Sequence, residues 1–324
     1  MRIFVNLGAS LRPGFLSDKT RALLESMGEV RYCEADPLAG EALRANLSGV
    51  DLLITGWGQR TLHCEDIGDV RLILHTGGTV GGIVGEDIFA KGVTVLSGNR
   101  YYAESVAEGV IAYMLFALRD MGRYTAETKA GGWPDNRTRG LLGKKVGIVS
   151  VGAIARLVIG HLRHFGCEVL AYSTRPDPAY AAAAGIRYAT LEEIFSECDI
   201  VSLHTARTPA TVGMIGADLL SLLRPDTLFL NTARGEIVRE KDLLDALSTG
   251  RFSAVLDVYD TEPLPPDHPF HALPNVILFP HQCGPTYDRR DYITRELLLD
   301  AKTFFAGGVP QNIITGDVAA RMTH

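Results

Sequence analysis

Long apolar runs are missing from this chain of 324 residues. The longest, residues 110–118, is well short of the roughly 20 apolar residues that span a bilayer. Cysteine is scarce: five residues, odd in number and scattered, with no C-x-x-C pair. That gives neither a disulfide framework nor a metal-ligand pattern, and it favours a reducing cytoplasm. No block of Lys or Arg stands out and the net charge is −6, which argues against nucleic acid and anionic membrane as partners. The opening residues read as a strand, with no apolar segment leading to a small-residue cleavage site, so no secretion signal is expected. Internal repeats are absent. What is present is the composition of a globular protein, 46% hydrophobic and 22% charged, long enough for two domains.

Short apolar runs alternate with helical patterns from end to end. Candidate strands cover residues 3–7, 52–55, 72–74, 93–96, 145–149, 168–172, 200–203, 228–230, 255–257 and 276–278. Helical patterns between them include 18–26, 154–165, 191–197, 217–222 and 240–247. Such alternation predicts an α/β protein with doubly wound parallel sheets. One long helical pattern, 104 to about 130, interrupts the series, and another runs over 289–305. The expectation is two domains. The first is discontinuous, 1–100 with 286–324, and the second, 101–285, is inserted into it.

Residues 145–149 run into Ser150-Val151-Gly152-Ala153-Ile154-Ala155 and then a helical pattern. That is the strand, tight turn and helix start that a dinucleotide fingerprint requires. Gly152 lets the backbone approach a pyrophosphate, and the amides of Ala153 and Ile154 face it from the helix N-terminus. Ser150 stands where the first glycine of the fingerprint is expected. An NAD enzyme usually carries Asp or Glu at the end of the next strand, for the ribose hydroxyls. Here the strand ends Tyr172-Ser173-Thr174-Arg175 with no carboxylate. Two hydroxyls and a guanidinium suit a 2′-phosphate, so NADP is favoured over NAD.

Three loops carry chemistry of another kind. Asn231-Thr232-Ala233-Arg234-Gly235, Asp257-Val258-Tyr259-Asp260-Thr261-Glu262-Pro263 and Pro280-His281 each follow a predicted strand. They supply one cation, one carboxylate and one imidazole at the ends of strands, where open parallel sheets bind ligands.

Taken together these blocks resemble the D-isomer-specific 2-hydroxyacid dehydrogenase family, particularly its glyoxylate/hydroxypyruvate reductase-like members. Gly56-Trp57-Gly58, Ser105-Val106-Ala107-Glu108, Val201-Ser202-Leu203-His204, Thr208-Pro209 and Leu273-Pro274-Asn275-Val276 belong to the same resemblance. It covers nearly the whole chain. It implies a Rossmann-type nucleotide domain inserted into a flavodoxin-like substrate domain, a homodimer, and reduction of a small 2-oxo acid by NAD(P)H or the reverse. By resemblance, Arg234, Glu262 and His281 form the catalytic set. Arg234 holds carboxylate and carbonyl oxygens, His281 is the general acid for reduction, and Glu262 fixes the imidazole. Ser105, His204, Thr205, Thr232, Ala233, Asp257 and Gly284 border the cofactor, and Gly77, Gly78 and Thr79 grip the substrate carboxylate. Trp57 either lines the substrate pocket or packs as a structural aromatic. No metal is called for. Two other functions share this architecture: a dinucleotide-sensing, co-repressor-like scaffold, and a formate- or phosphite-type dehydrogenase.

Overall fold

The computed structural model describes residues 1–323. The chain divides into two compact units, Met1–Ala103 with everything from Pro285 onward, and Glu104–Gly284. Both are parallel α/β domains, and the second is inserted into the first.

The first unit holds β1 (Arg2–Asn6), β2 (Glu29–Tyr32), β3 (Leu52–Thr55), β4 (Leu72–His75) and β5 (Thr94–Ser97). They form one parallel sheet in the order β2-β1-β3-β4-β5, a flavodoxin-like arrangement. Every residue of β3 and β4 is buried. Such strands are covered on both faces, which is why they read as unbroken apolar runs. The helix Asp18–Met27 starts where Ser17 accepts a hydrogen bond from the Thr20 amide, the usual role of Ser at that position. The helix Tyr287–Phe305 buries Ile293, Leu297 and Leu298 with the strands of this sheet in one apolar cluster.

The second unit holds β6 (Lys145–Val149), β7 (Glu168–Tyr172), β8 (Arg187–Tyr188), β9 (Ile200–Leu203), β10 (Leu228–Asn231), β11 (Ser253–Leu256) and β12 (Val276–Leu278). All pair in parallel, in the order β12-β11-β10-β9-β6-β7-β8. The order reverses between β6 and β9, so the crevice of a doubly wound sheet falls there.

Two strands escape the sequence pattern. β2 has no buried residue and β8 has two residues. Both are sheet edges with one neighbour each, so neither needs an apolar run. The expected single helix over 104–130 is two helices, Asn99–Leu118 and Met121–Lys129. The break is at Asp120, whose φ of +50° no helix interior accommodates. Among the described residues no helix is long and apolar enough to cross a membrane. All five cysteines are free.

Candidate active site

The nucleotide turn sits where the sheet order reverses. Ser150 has φ +76°, the left-handed region that glycine enters freely and other residues rarely. Its amide donates to the Tyr172 carbonyl at 2.9 Å, and its hydroxyl lies 2.9 Å from the Thr205 hydroxyl. The turn after β6 is therefore tied to the end of β7 and to the loop after β9. Gly152 begins the helix Ala153–His164 without any side-chain cap. The amides of Ala153 and Ile154 find no acceptor among the described residues. A β-carbon on Gly152 would meet nothing within 4 Å. Open amides at a helix N-terminus, beside open space, fit a dinucleotide pyrophosphate.

Beyond β7, Ser173 accepts from the Arg175 amide at 3.1 Å, while Thr174 and Arg175 are exposed. The first carboxylate further on is Asp177. It accepts from the Tyr180 amide at 3.0 Å and pairs with Arg156 at 3.2 Å. Desolvation pushes His204 down to about 4, and its Nε2 lies 3.0 Å from the Ser202 hydroxyl. It is a neutral ring at ordinary pH. Ser105 and Thr205 are buried, and the Thr232 hydroxyl is buried without a hydrogen-bond partner among the described residues.

Arg234, Glu262 and His281 follow the adjacent strands β10, β11 and β12. Buried Asn231 braces the first loop. Its amide group donates to the Arg234 carbonyl at 2.8 Å and its oxygen accepts from the Ala233 amide at 3.1 Å. Arg234 Nη1 donates to the Ala233 carbonyl at 2.6 Å. No carboxylate lies within ion-pair distance of the guanidinium among the described residues. Burial, then the neighbouring Arg207, hold its pKa below the usual arginine range, while Glu262 and Glu236 act the other way. Gly235 is required by close approach: a β-carbon there would lie 2.1 Å from the Tyr259 carbonyl carbon. The β10 and β11 loops therefore touch backbone to backbone.

Glu262 divides its two oxygens. Oε1 accepts from the Tyr259 amide of its own loop at 3.1 Å, and Oε2 lies 2.7 Å from His281 Nδ1. The carboxylate thus fixes one ring nitrogen and leaves Nε2 facing outward, without a partner among the described residues. His281 has φ +53°, a left-handed conformation rare for a non-glycine residue. Backbone strain of this kind persists only where the surroundings enforce it, and here Asp257 enforces it. Asp257, 1% exposed, accepts from the Gln282 amide at 2.8 Å, the Cys283 amide at 3.0 Å and the Tyr113 hydroxyl at 3.1 Å. Tyr113 is itself stacked on Phe279, ring centroids 4.0 Å apart. Asp257, a candidate for the cofactor border, thus also clamps the chain just past His281. Burial pushes the neighbouring Cys283 thiol well up, which leaves it a packing group rather than a nucleophile.

The first unit carries the remaining candidates. The Ser97 hydroxyl lies 3.1 Å from the Gly77 carbonyl and 2.7 Å from the Gly78 carbonyl. The amides of Gly77, Gly78 and Thr79 have no acceptor among the described residues. Gly78 lies against Tyr102: a β-carbon there would be 2.9 Å from the ring. Trp57, 37% exposed, makes edge contacts with Phe15 and Tyr102. Among the described residues no group of three His, Cys, Asp or Glu side chains could hold a metal ion.

Sequence reasoning missed Asn231, Tyr113 and Ser97 as supports of these loops. Asn231 offered a signal, a polar residue closing an apolar strand. Tyr113 offered none, since its partner lies 144 residues away.

A seven-stranded doubly wound sheet with an open glycine turn at its reversal point defines a dinucleotide-binding α/β protein. Residues 111–283 match the family model described as D-isomer specific 2-hydroxyacid dehydrogenase, NAD binding domain. The chain is 31% identical over 235 residues to the glyoxylate reductase of Korarchaeum cryptofilum, covering 70% of this chain and 71% of that protein. It is 30% identical over 298 residues to the D-3-phosphoglycerate dehydrogenase of Methanocaldococcus jannaschii, covering 90% of this chain but only 56% of that longer protein. The crystal structure of the TT0316 protein from Thermus thermophilus superposes with a TM-score of 0.80 at 26% identity, covering 97% of this chain and 100% of that one. This chain belongs to the D-isomer specific 2-hydroxyacid dehydrogenase family.

Proposed function

We propose that the protein reduces a small 2-oxo acid to the corresponding D-2-hydroxy acid with NADPH. The observation that carries this is the His281–Glu262 pair at 2.7 Å, with the far ring nitrogen open, after the strand next but one to that of an Arg without a carboxylate partner. A bound reduced nicotinamide supplies the hydride to the substrate carbonyl carbon. Gly152, Ala153 and Ile154 hold its pyrophosphate. His281 Nε2 donates a proton to the carbonyl oxygen as negative charge develops there. Glu262 holds the ring in the tautomer and orientation this needs, and stabilises the charged form. Arg234 sets a fixed, water-poor positive field on the same oxygen, where such a charge counts for far more than in bulk solvent. Within the first unit, the open amides of Gly77, Gly78 and Thr79 are donors suited to a carboxylate.

The preference for NADPH rests on the residues just past β7. Ser173, Thr174 and Arg175 present hydroxyls and a cation, and the nearest carboxylate, Asp177, is engaged by Arg156. Among the described residues just past β7, no unpaired carboxylate stands to repel a 2′-phosphate. Steady-state turnover of glyoxylate and hydroxypyruvate with each cofactor tests both points. KM for NADPH is expected below that for NADH. Arg175→Ala should raise it roughly tenfold or more, the cost of one hydrogen bond to a charged group. A clear NADH preference sinks the cofactor reading. Turnover of formate or phosphite alone would favour that relative of the fold, and binding without turnover of any acid would favour a sensing scaffold.

A homodimer is part of the same reading. Trp133 is 93% exposed and Met121 is 45% exposed. They border a surface groove with Leu115, Tyr124 and Pro134. Large apolar side chains left in water side by side mark interaction surfaces. Sedimentation is expected to give a dimer that Trp133→Glu converts to monomer. A wild-type monomer at micromolar concentration would refute this.

A further inference from the structure

We propose that Arg290 recognises a second carboxylate, so that the acid turned over best is a dicarboxylic 2-oxo acid; this rests on the reductase reading above. Arg290 lies in the first turn of the helix Tyr287–Phe305. Its Nε donates to the Pro285 carbonyl at 3.3 Å, and its guanidinium carbon lies 4.8 Å from the Trp57 ring centroid and 5.9 Å from that of Phe15. These contacts fix the guanidinium plane. They leave both terminal nitrogens without a carboxylate within ion-pair distance among the described residues. Further along the same helix Arg295 has one, Glu296 at 3.0 Å. The backbone carbonyl and the aromatic faces hold the guanidinium in place, while its terminal nitrogens keep donors to offer an anion. A bound anion would accept from them.

A second aromatic neighbour of Trp57, Tyr102, bears on the anion's identity. The Tyr102 ring meets the indole edge-on, centroids 6.5 Å apart, and its hydroxyl is buried. The same ring lies against Gly78, in the loop whose amides are open. One aromatic floor, all within the first unit, therefore has amide donors at one end and a guanidinium at the other. An acid seated by its 2-oxo carboxylate on the amides extends over Tyr102 and Trp57 toward Arg290. A purely apolar side chain would leave that charge unmatched. One planar guanidinium matches one carboxylate as a fork. A phosphate dianion would bring more charge than it neutralises.

The chain has two tryptophans, so Trp133→Phe makes Trp57 the sole indole reporter. Titration of that protein with 2-oxoglutarate is expected to give a saturable change in emission, and pyruvate at equal concentration a much smaller one. Adding Arg290→Gln should abolish the 2-oxoglutarate response. In turnover, the ratio of kcat/KM for 2-oxoglutarate or oxaloacetate to that for pyruvate should exceed one and fall about tenfold or more in Arg290→Gln, the scale of a lost charged hydrogen bond. A flat titration, or an undiminished response in Arg290→Gln, overturns the proposal. So does better turnover of 3-phosphohydroxypyruvate than of any dicarboxylic acid. If no 2-oxo acid is turned over, the reductase reading fails, and the fluorescence titration still decides the role of Arg290.

Discussion

Replacing His281 with alanine is expected to lower kcat for 2-oxo acid reduction by about 10²–10⁴, the usual contribution of a positioned general acid. Nucleotide affinity should stay near its original value, because the glycine turn lies after β6 and His281 after β12. The loss has two conceivable origins, since His281 also adopts φ +53°. Asparagine separates them. It tolerates the left-handed region better than most residues but cannot pass a proton as imidazole does. His281→Asn is therefore expected to keep the wild-type melting temperature and lose as much kcat as the alanine variant. Steady-state kinetics with NADPH and a saturating 2-oxo acid makes the comparison. Turnover within a few-fold of wild type in either variant would remove His281 from the chemistry.

Arg234→Gln should lower kcat/KM by about 10²–10³, the cost of removing one preorganised donor from a developing oxyanion. Glutamine keeps some length and a hydrogen-bond donor but no charge. Arg234→Lys should recover little. An ammonium is a point charge on a flexible stem, without the planar fork that reaches two oxygens at once. The loop itself should survive either change: Asn231 holds its backbone at both ends, and the contact between Gly235 and Tyr259 is unaffected. Retained kcat/KM in Arg234→Gln, with KM for the acid unchanged, would mean that the guanidinium does not touch the substrate.

Much of the architecture was legible because the chain writes buried strands as apolar runs. β3, β6 and β9 stand out as Leu52-Leu53-Ile54, Val146-Gly147-Ile148-Val149 and Ile200-Val201. Each is covered on both faces, so burial leaves its mark on every residue. β2, Glu29-Val30-Arg31-Tyr32, has one neighbour and carries no such mark. The helix break at Asp120 was hidden for a different reason. Neither proline nor a cap announces it, and Gly122 beyond it does not by itself end a helix. For the site, the order of three loops was readable, since each follows a strand end. The supports that hold those loops were not. The Tyr113–Asp257 contact and the tie from Ser150 to Thr205 join residues far apart in sequence. Such contacts exist only once the sheet has set its strand order. The left-handed backbone at Ser150 and His281 is a product of the same packing, and no local signal encodes it.

The most direct test of the central claim is the product itself. Wild-type protein, NADPH and a panel of 2-oxo acids should yield a D-2-hydroxy acid in one-to-one stoichiometry with cofactor oxidised, resolved by chiral chromatography. A product of L configuration, or oxidation of cofactor with no 2-hydroxy acid formed from any of them, would contradict the account.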